Sequence, residues 1–194
     1  MLVFSREVFV CRCATILAVP DLSSAADSAV AFRRGTIADL ERLPAAHHNR
    51  DHIAELGTRL DRGEHWLVGD AGGEIVTYAW LSRRRRVSYP TLPGCEIALR
   101  RDTAYAYDAW TPPERRAQGL RRQAFAAELG VLRDWGFAWE ASFFVKHQLA
   151  GATRSLAGMG IEVTPLWRVW LGRGRALFAE ALHADAESAR PTWI

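Results

Sequence analysis

From Asp108 to Arg121 the chain reads Asp-Ala-Trp-Thr-Pro-Pro-Glu-Arg-Arg-Ala-Gln-Gly-Leu-Arg. An extended stretch stops at Pro112-Pro113, because proline cannot donate to a strand ladder. A basic turn follows, and apolar residues at helical spacing begin beyond Gly119. The first turn of a helix presents backbone N–H groups without intrahelical acceptors and the positive end of the macrodipole. A glycine at that point lets the backbone come close to an anion. Arg115, Arg116, Arg121 and Arg122 add fixed positive charge around the same turn. The chemistry on offer is the holding of a phosphate-bearing ligand. One glycine ahead of a basic helix would equally serve as an ordinary strand-to-helix connection with solvated arginines.

Other reactive side chains offer less. Cys11, Cys13 and Cys95 cannot build a disulfide framework, and the Cys-x-Cys pair has no second ligand pair at zinc spacing. His47 and His48 are adjacent, so on a helix they point apart, and a zinc site would need further ligands. No metal is expected.

The elements that must position the turn follow from periodicity. Residues 2–19 are rich in Val, Phe, Ile and Cys with an alternating stretch and predict strand; 20–28 read as a polar linker. A strand over 30–34 precedes Thr36, the expected N-cap of a helix running to about Ala46. A second helix is predicted over 51–61. Apolar runs over 65–69 and 74–82 flank Asp70-Ala71-Gly72-Gly73, a hairpin signal. Strands are expected over 96–99 and 103–111, a long amphipathic helix over 119–135, a strand over 137–145, a helix over 148–157 and a strand over 161–171. Beyond Gly172 a short amphipathic helix, 176–182, leads into a polar tail expected to be disordered. This order gives a mixed α/β or α+β layer fold. The expected organisation is an N-terminal β-extension and linker over 1–28, one core domain over 29–172, and a C-terminal helix and tail over 173–194.

With these elements in place, the turn resembles the coenzyme A signature of the GNAT acetyltransferases, Arg/Gln-x-x-Gly-x-Gly/Ala, which Arg116-Ala117-Gln118-Gly119-Leu120 matches through five positions. Pro113-Glu114-Arg115-Arg116 is also typical of its lead-in. Residues 32–40 resemble the family's opening strand and first helix, 66–81 its second and third strands, and Gly158-Met159-Gly160-Ile161 its late Leu-Gly-Phe segment. The resemblance covers roughly 29–171. It implies a mostly antiparallel central sheet with helices on both faces, and acetyl-CoA as donor substrate for direct transfer to an amine. It places the donor against Trp110, Thr111, Arg116, Ala117, Gln118, Gly119, Leu120 and Arg121. Three features depart from the pattern, one being that the late helix lacks the family's common Asn. Arg121 replaces the third small residue, and Leu156 stands where many members carry a tyrosine general acid.

Direct transfer requires the amine to lose a proton and the thiolate to gain one, so a titratable side chain or a water chain is expected near the end of the strand over 103–111. Asp108, Tyr107 and His147 are the candidate catalytic residues, with Tyr105 on the same strand face as Tyr107. Each also has a structural role open to it: packing for the tyrosines, backbone hydrogen bonding for Asp108, a helix start for His147.

Composition narrows the partners. With 194 residues and 49% hydrophobic content the chain can bury one sizeable core, and a net charge of +3 leaves no long tract of one sign beyond Arg83–Arg86. Arg6, Glu7 and Arg12 interrupt the apolar N-terminus before a signal-peptide core can form, so a cytoplasmic protein without a membrane partner is expected. The acceptor is expected to be a small-molecule or peptide amine. A carrier-protein-bound acyl donor docking on Arg83–Arg86 is the alternative within enzymes, and a basic nucleic-acid-binding module is the alternative outside them. A homodimer is left open.

Overall fold

A computed structural model describes residues 6–14, 30–43, 50–88, 95–172 and 175–193. In chain order the elements are β1 (Arg6–Ala14), β2 (Ala31–Arg34), a 3-10 turn (Ile37–Arg42), α1 (Arg50–Asp61), β3 (His65–Ala71), β4 (Glu74–Ser82), β5 (Arg86–Ser88) and β6 (Cys95–Leu99). They continue with β7 (Thr103–Trp110), a short 3-10 turn (Pro113–Arg115), α2 (Leu120–Asp134), β8 (Trp139–Val145), α3 (Lys146–Ala157), β9 (Thr164–Gly172), β10 (Arg175–Ala181) and β11 (Ala189–Trp193). These form two compact units. One comprises Met1–Pro20, Arg83–Tyr105 and Val131–Ile194, the other Asp21–Ser82 and Ala106–Gly130. The boundaries therefore cut across the expected division at 28 and 172, and both β7 and α2 contribute to each unit.

In the first unit the strand order is β10-β9-β1-β8-β7. Strand β1 is no peripheral extension. It pairs antiparallel with β8 from Val8↔Val145 to Ala14↔Trp139, and with β9 on its other edge. Val8 and Val10 are fully buried and so are Cys11 and Cys13 on the opposite face, as an interior strand demands. β7 and β8 run parallel over Thr103–Tyr105 opposite Trp139–Ala141, the one parallel register described among these strands. The three cysteines are free and buried, and burial pushes the Cys11 thiol up to about 12.

The C-terminal segment corrects the expectation of a helix and a disordered tail. Residues 175–181 form β10, paired antiparallel with β9, and Ala189–Trp193 form β11, paired with β6 in a small sheet ordered β11-β6-β5. Ala189 and Pro191 are buried there, and Pro191 is tolerated because β11 is an edge strand whose missing N–H need not serve a ladder. Local amphipathicity favoured helix over 176–182, and antiparallel pairing with the preceding strand β9 overrode it.

The second unit carries strands in the order β7-β4-β3-β2. The β3–β4 hairpin turns at Gly72 and Gly73, both at positive φ (62° and 97°), the conformation a tight hairpin turn needs. Asp70 Oδ1 accepts a 2.8 Å hydrogen bond from the Gly73 N–H and fixes the turn. Ile75 to Ser82 are all buried, as befits an interior strand. The expected helix after Thr36 is only a six-residue 3-10 turn. Its start is as anticipated, with the Thr36 N–H and Oγ1 both bonding Asp39 Oδ2 at 2.8 and 2.9 Å. It ends early because Leu43 is extended (φ −64°, ψ 145°), the region imposed on a residue that precedes a proline, here Pro44. Leu40, Leu56, Trp66, Ile75, Tyr78 and Trp80 form the core of this unit, with Tyr107 and Trp110 packed against it.

Among the described residues no helix is long and apolar enough to cross a membrane.

Candidate active site

The strand that leads to the basic turn changes direction before it ends. Asp108 lies in β7 with φ at +48°, one of two described non-glycine residues at positive φ; the other is Ala117. Aspartate tolerates this region better than most residues, yet it costs on the order of 1–3 kcal/mol unless its surroundings hold it. They do so here. Arg59 of α1, 8% exposed, donates from Nη1 to Asp108 Oδ2 at 2.6 Å and from Nη2 to Glu55 Oε1 at 2.7 Å. Its guanidinium lies 5.3 Å from the Trp80 ring centroid and 5.1 Å from that of Tyr107. Burial works against the charge on Arg59, but the bonds with Glu55 and Asp108 outweigh it and hold its pKa above the ordinary value.

Two residues on, the fully buried Thr77 hydroxyl lies 2.9 Å from both the Trp110 carbonyl and the Thr111 hydroxyl, and the Trp110 ring stacks on Tyr78 at 5.5 Å. Pro112 then closes the strand and residues 113–115 make a single 3-10 turn. From here the backbone alternates in hand: Ala117 at φ +61°, Gly119 at +77°, then the right-handed α2. Alternation of this kind curls successive N–H groups into a concavity that suits an anion. No acidic side chain occupies the first turn of α2, so no carboxylate of that turn competes for the dipole.

The arginines divide by task. Arg115 pairs with Glu74 at 2.9 Å, and Arg116 Nε donates to the Thr111 carbonyl at 3.2 Å, bracing the turn. Gln118 Nε2 bonds the Glu114 carbonyl at 3.2 Å. Arg122 is exposed. Arg121 runs along α2 to Glu128, whose side chain is fully buried, with its second guanidinium nitrogen 3.2 Å from Glu128 Oε2. At the position where the resemblance expects a small residue, the arginine neutralises a buried carboxylate, while its backbone remains in the first turn.

Tyr107 and Asp108 are brought together, as neighbours on β7 sharing Arg59. The Tyr107 hydroxyl donates to Glu64, a carboxylate only 8% exposed that follows α1. His147 belongs to the other unit, exposed in the first turn of α3, and Tyr105 is buried there edge-on to Phe143 at 5.2 Å. Leu156 is buried and apolar, so it cannot donate a proton. His47 and His48 lie outside the described residues. Among the described residues no group of three or more His, Cys, Asp or Glu side chains is placed to hold a metal.

Arg59 and Glu64 escaped the sequence reading. The signal for Arg59 was faint: Glu55 four residues earlier on α1 marks an ion pair, but such pairs are usually surface features. Nothing local marked Glu64, since its partner lies 43 residues away.

No protein-family model matches the chain, and no curated protein matches it in sequence. Solved structures do match in shape. An acetyltransferase of the GNAT family from Colwellia psychrerythraea aligns with a TM-score of 0.56 at 14% identity, covering 83% of this chain and 54% of that one. The GCN5-related glucosamine N-acetyltransferase region of a fungal multi-domain GH3 β-N-acetylglucosaminidase aligns at 0.58 and 16% identity, covering 87% and 21%. AAC(6')-Iy, solved with the bisubstrate analog CoA-S-monomethyl-acetylneamine, aligns at 0.50 and 19%, covering 68% and 89%. The chain thus spans about half of the first structure's length and about a fifth of the second's.

Proposed function

For a chain with the fold of the GNAT acetyltransferases, we propose an acyl-CoA-dependent N-acetyltransferase that acts on an amine of a small molecule or peptide. The observation that carries this reading is the turn at 116–120. It alternates in hand at Ala117 and Gly119, opens onto an α2 terminus without acidic residues, and directly follows the end of β7. The backbone concavity suits a pyrophosphate, and Arg122 lies close in sequence to supply charge. Bound acetyl-CoA supplies the thioester to be cleaved.

The amine must shed a proton as its bond to the acyl carbon forms. Tyr107 and Glu64 serve that need: Tyr107 Oη accepts the proton while handing its own to the Glu64 carboxylate it already bonds, and as the C–N bond forms the C–S bond breaks, releasing CoA as a thiolate that takes its proton from solvent. Burial of Glu64 keeps the exchange out of bulk water. Asp108 is committed to Arg59 and is assigned no proton.

The test is thiol release from acetyl-CoA across a panel of amines, for the wild type and Tyr107→Phe. The substitution keeps the ring and removes the relay. It is expected to lower kcat by about 10²- to 10⁴-fold while acetyl-CoA affinity stays within about threefold. Wild-type protein that releases no thiol with any amine overturns the function; Tyr107→Phe with unchanged kcat overturns the relay.

A further inference from the structure

We propose that Arg59 is a positioning residue for the acyl donor: through its ion pair with Asp108 it holds the left-handed turn in β7 that aims the backbone of residues 109–111. The inference rests on the acyltransferase reading and adds to it a residue outside the donor turn.

The segment is pinned at two points. At its start Asp108 is held by Arg59, and at its end the Trp110 carbonyl and Thr111 hydroxyl are held by Thr77 of β4. Between the pins the direction of each peptide is set by the left-handed φ of Asp108, which a non-glycine residue keeps only when its surroundings insist. An unpinned residue at this position relaxes toward the extended conformation of its strand, and the peptides after it turn with it. Of residues 109–111, Trp110 and Thr111 are the ones that the family resemblance sets against the donor.

Arg59 itself is poorly placed to touch a substrate. It is 8% exposed, and its guanidinium is shared between Asp108, Glu55 and the rings of Trp80 and Tyr107. It acts through Asp108. Because α1 carries Arg59 and β7 carries Asp108, the pair also fixes the helix to the strand at this point.

A double-mutant cycle with glycine isolates the role, since glycine adopts positive φ without support. The four proteins are the full-length wild type, Arg59→Met, Asp108→Gly and the double variant. Each is measured by amide hydrogen exchange over 106–111 and by Kd for acetyl-CoA. Arg59→Met is expected to speed exchange there and to weaken acetyl-CoA binding, each about tenfold or more. Arg59→Lys, which keeps a cation on Asp108, is expected to recover most of the affinity. In the Asp108→Gly background, Arg59→Met is expected to add less than about twofold.

Losses that multiply in the double variant, or an Arg59→Met protein with wild-type exchange and affinity, overturn the proposal. If Arg59→Met melts below the assay temperature, Asp108→Ala removes the acceptor of the same pair from its more exposed side and is judged by the same criteria. Wild-type protein that binds no acetyl-CoA overturns the donor reading, whereas altered CoA binding without altered exchange at 106–111 overturns the role of Arg59 alone.

Discussion

Asp39 is 4% exposed, yet its carboxylate serves two arginines and the cap of a 3-10 turn. Arg33 grips it with both terminal nitrogens at 2.8 and 2.7 Å, and Arg42 adds a third bond at 2.7 Å. The same arginines reach Asp70 at 2.9 and 2.6 Å, so two carboxylates and two guanidiniums lock β2, the turn and the β3–β4 hairpin together. The Arg33 bonds, helped by Thr36, hold the Asp39 carboxyl well below the usual carboxylate range; Arg42 and then Arg33 lower Asp70 to about 2. Carboxyls depressed on folding stabilise the protein above the unfolded value of about 3.9 and lose that stabilisation as pH falls through the folded one. The melting temperature should therefore hold to about pH 4 and fall steeply toward pH 2. Asp39→Asn should start lower and fall less over the same interval, as thermal melts at pH 6 and 2.5 would read. An unchanged acid slope in the variant would refute this. Thr36 and Asp39 were readable locally as a cap. The pairing of Arg59 with Asp108 and of Glu64 with Tyr107 was not, because partners 49 and 43 residues apart leave no mark at either position.

Helix α2 shows how an element can be legible while the task of one of its residues is not. Its apolar spacing placed it within two residues of its observed ends, and Gly136 at φ +79° closes it through the Phe137 N–H to Leu132 carbonyl bond. Glu128 falls on the apolar stripe, four residues after Ala124 and four before Leu132, so its burial was legible from spacing; the counter-ion that neutralises it, Arg121 two turns earlier, was not. Removing the cation leaves a buried carboxylate uncompensated, so Arg121→Met should cost about 2 kcal/mol in chemical denaturation. In a Glu128→Gln background the same substitution should cost less than about 0.5 kcal/mol. If Arg121 served phosphate instead, Arg121→Met would leave stability intact and weaken CoA binding. Strands β10 and β11 were misread for the opposite reason. Their residues favour helix or coil locally, and only the edges of β9 and β6 make them strands.

For the whole molecule, most of the succession from Ala31 to Gly172 was legible because hairpin glycines, prolines and helical stripes are local signals; the three-residue β5 was missed and the first helix proved a 3-10 turn. The place of β1 between β8 and β9 was not, since pairing partners lie far off in sequence. The basic turn at 116–120 was legible as a motif; its alternating hand at Ala117 and Gly119, a backbone shape of the kind that suits an anion, was not. A substitution at Gly119 is informative because its φ of +77° strains any side chain, while the space around its Cβ position is open, with no heavy atom beyond its chain neighbours within 4 Å. Calorimetric titration of acetyl-CoA into wild type and Gly119→Glu is therefore the most direct test. Saturable one-to-one binding to the wild type, weakened about 100-fold or more in the variant, is the predicted result; wild-type protein that binds no CoA, or a variant that binds it equally well, would contradict the account.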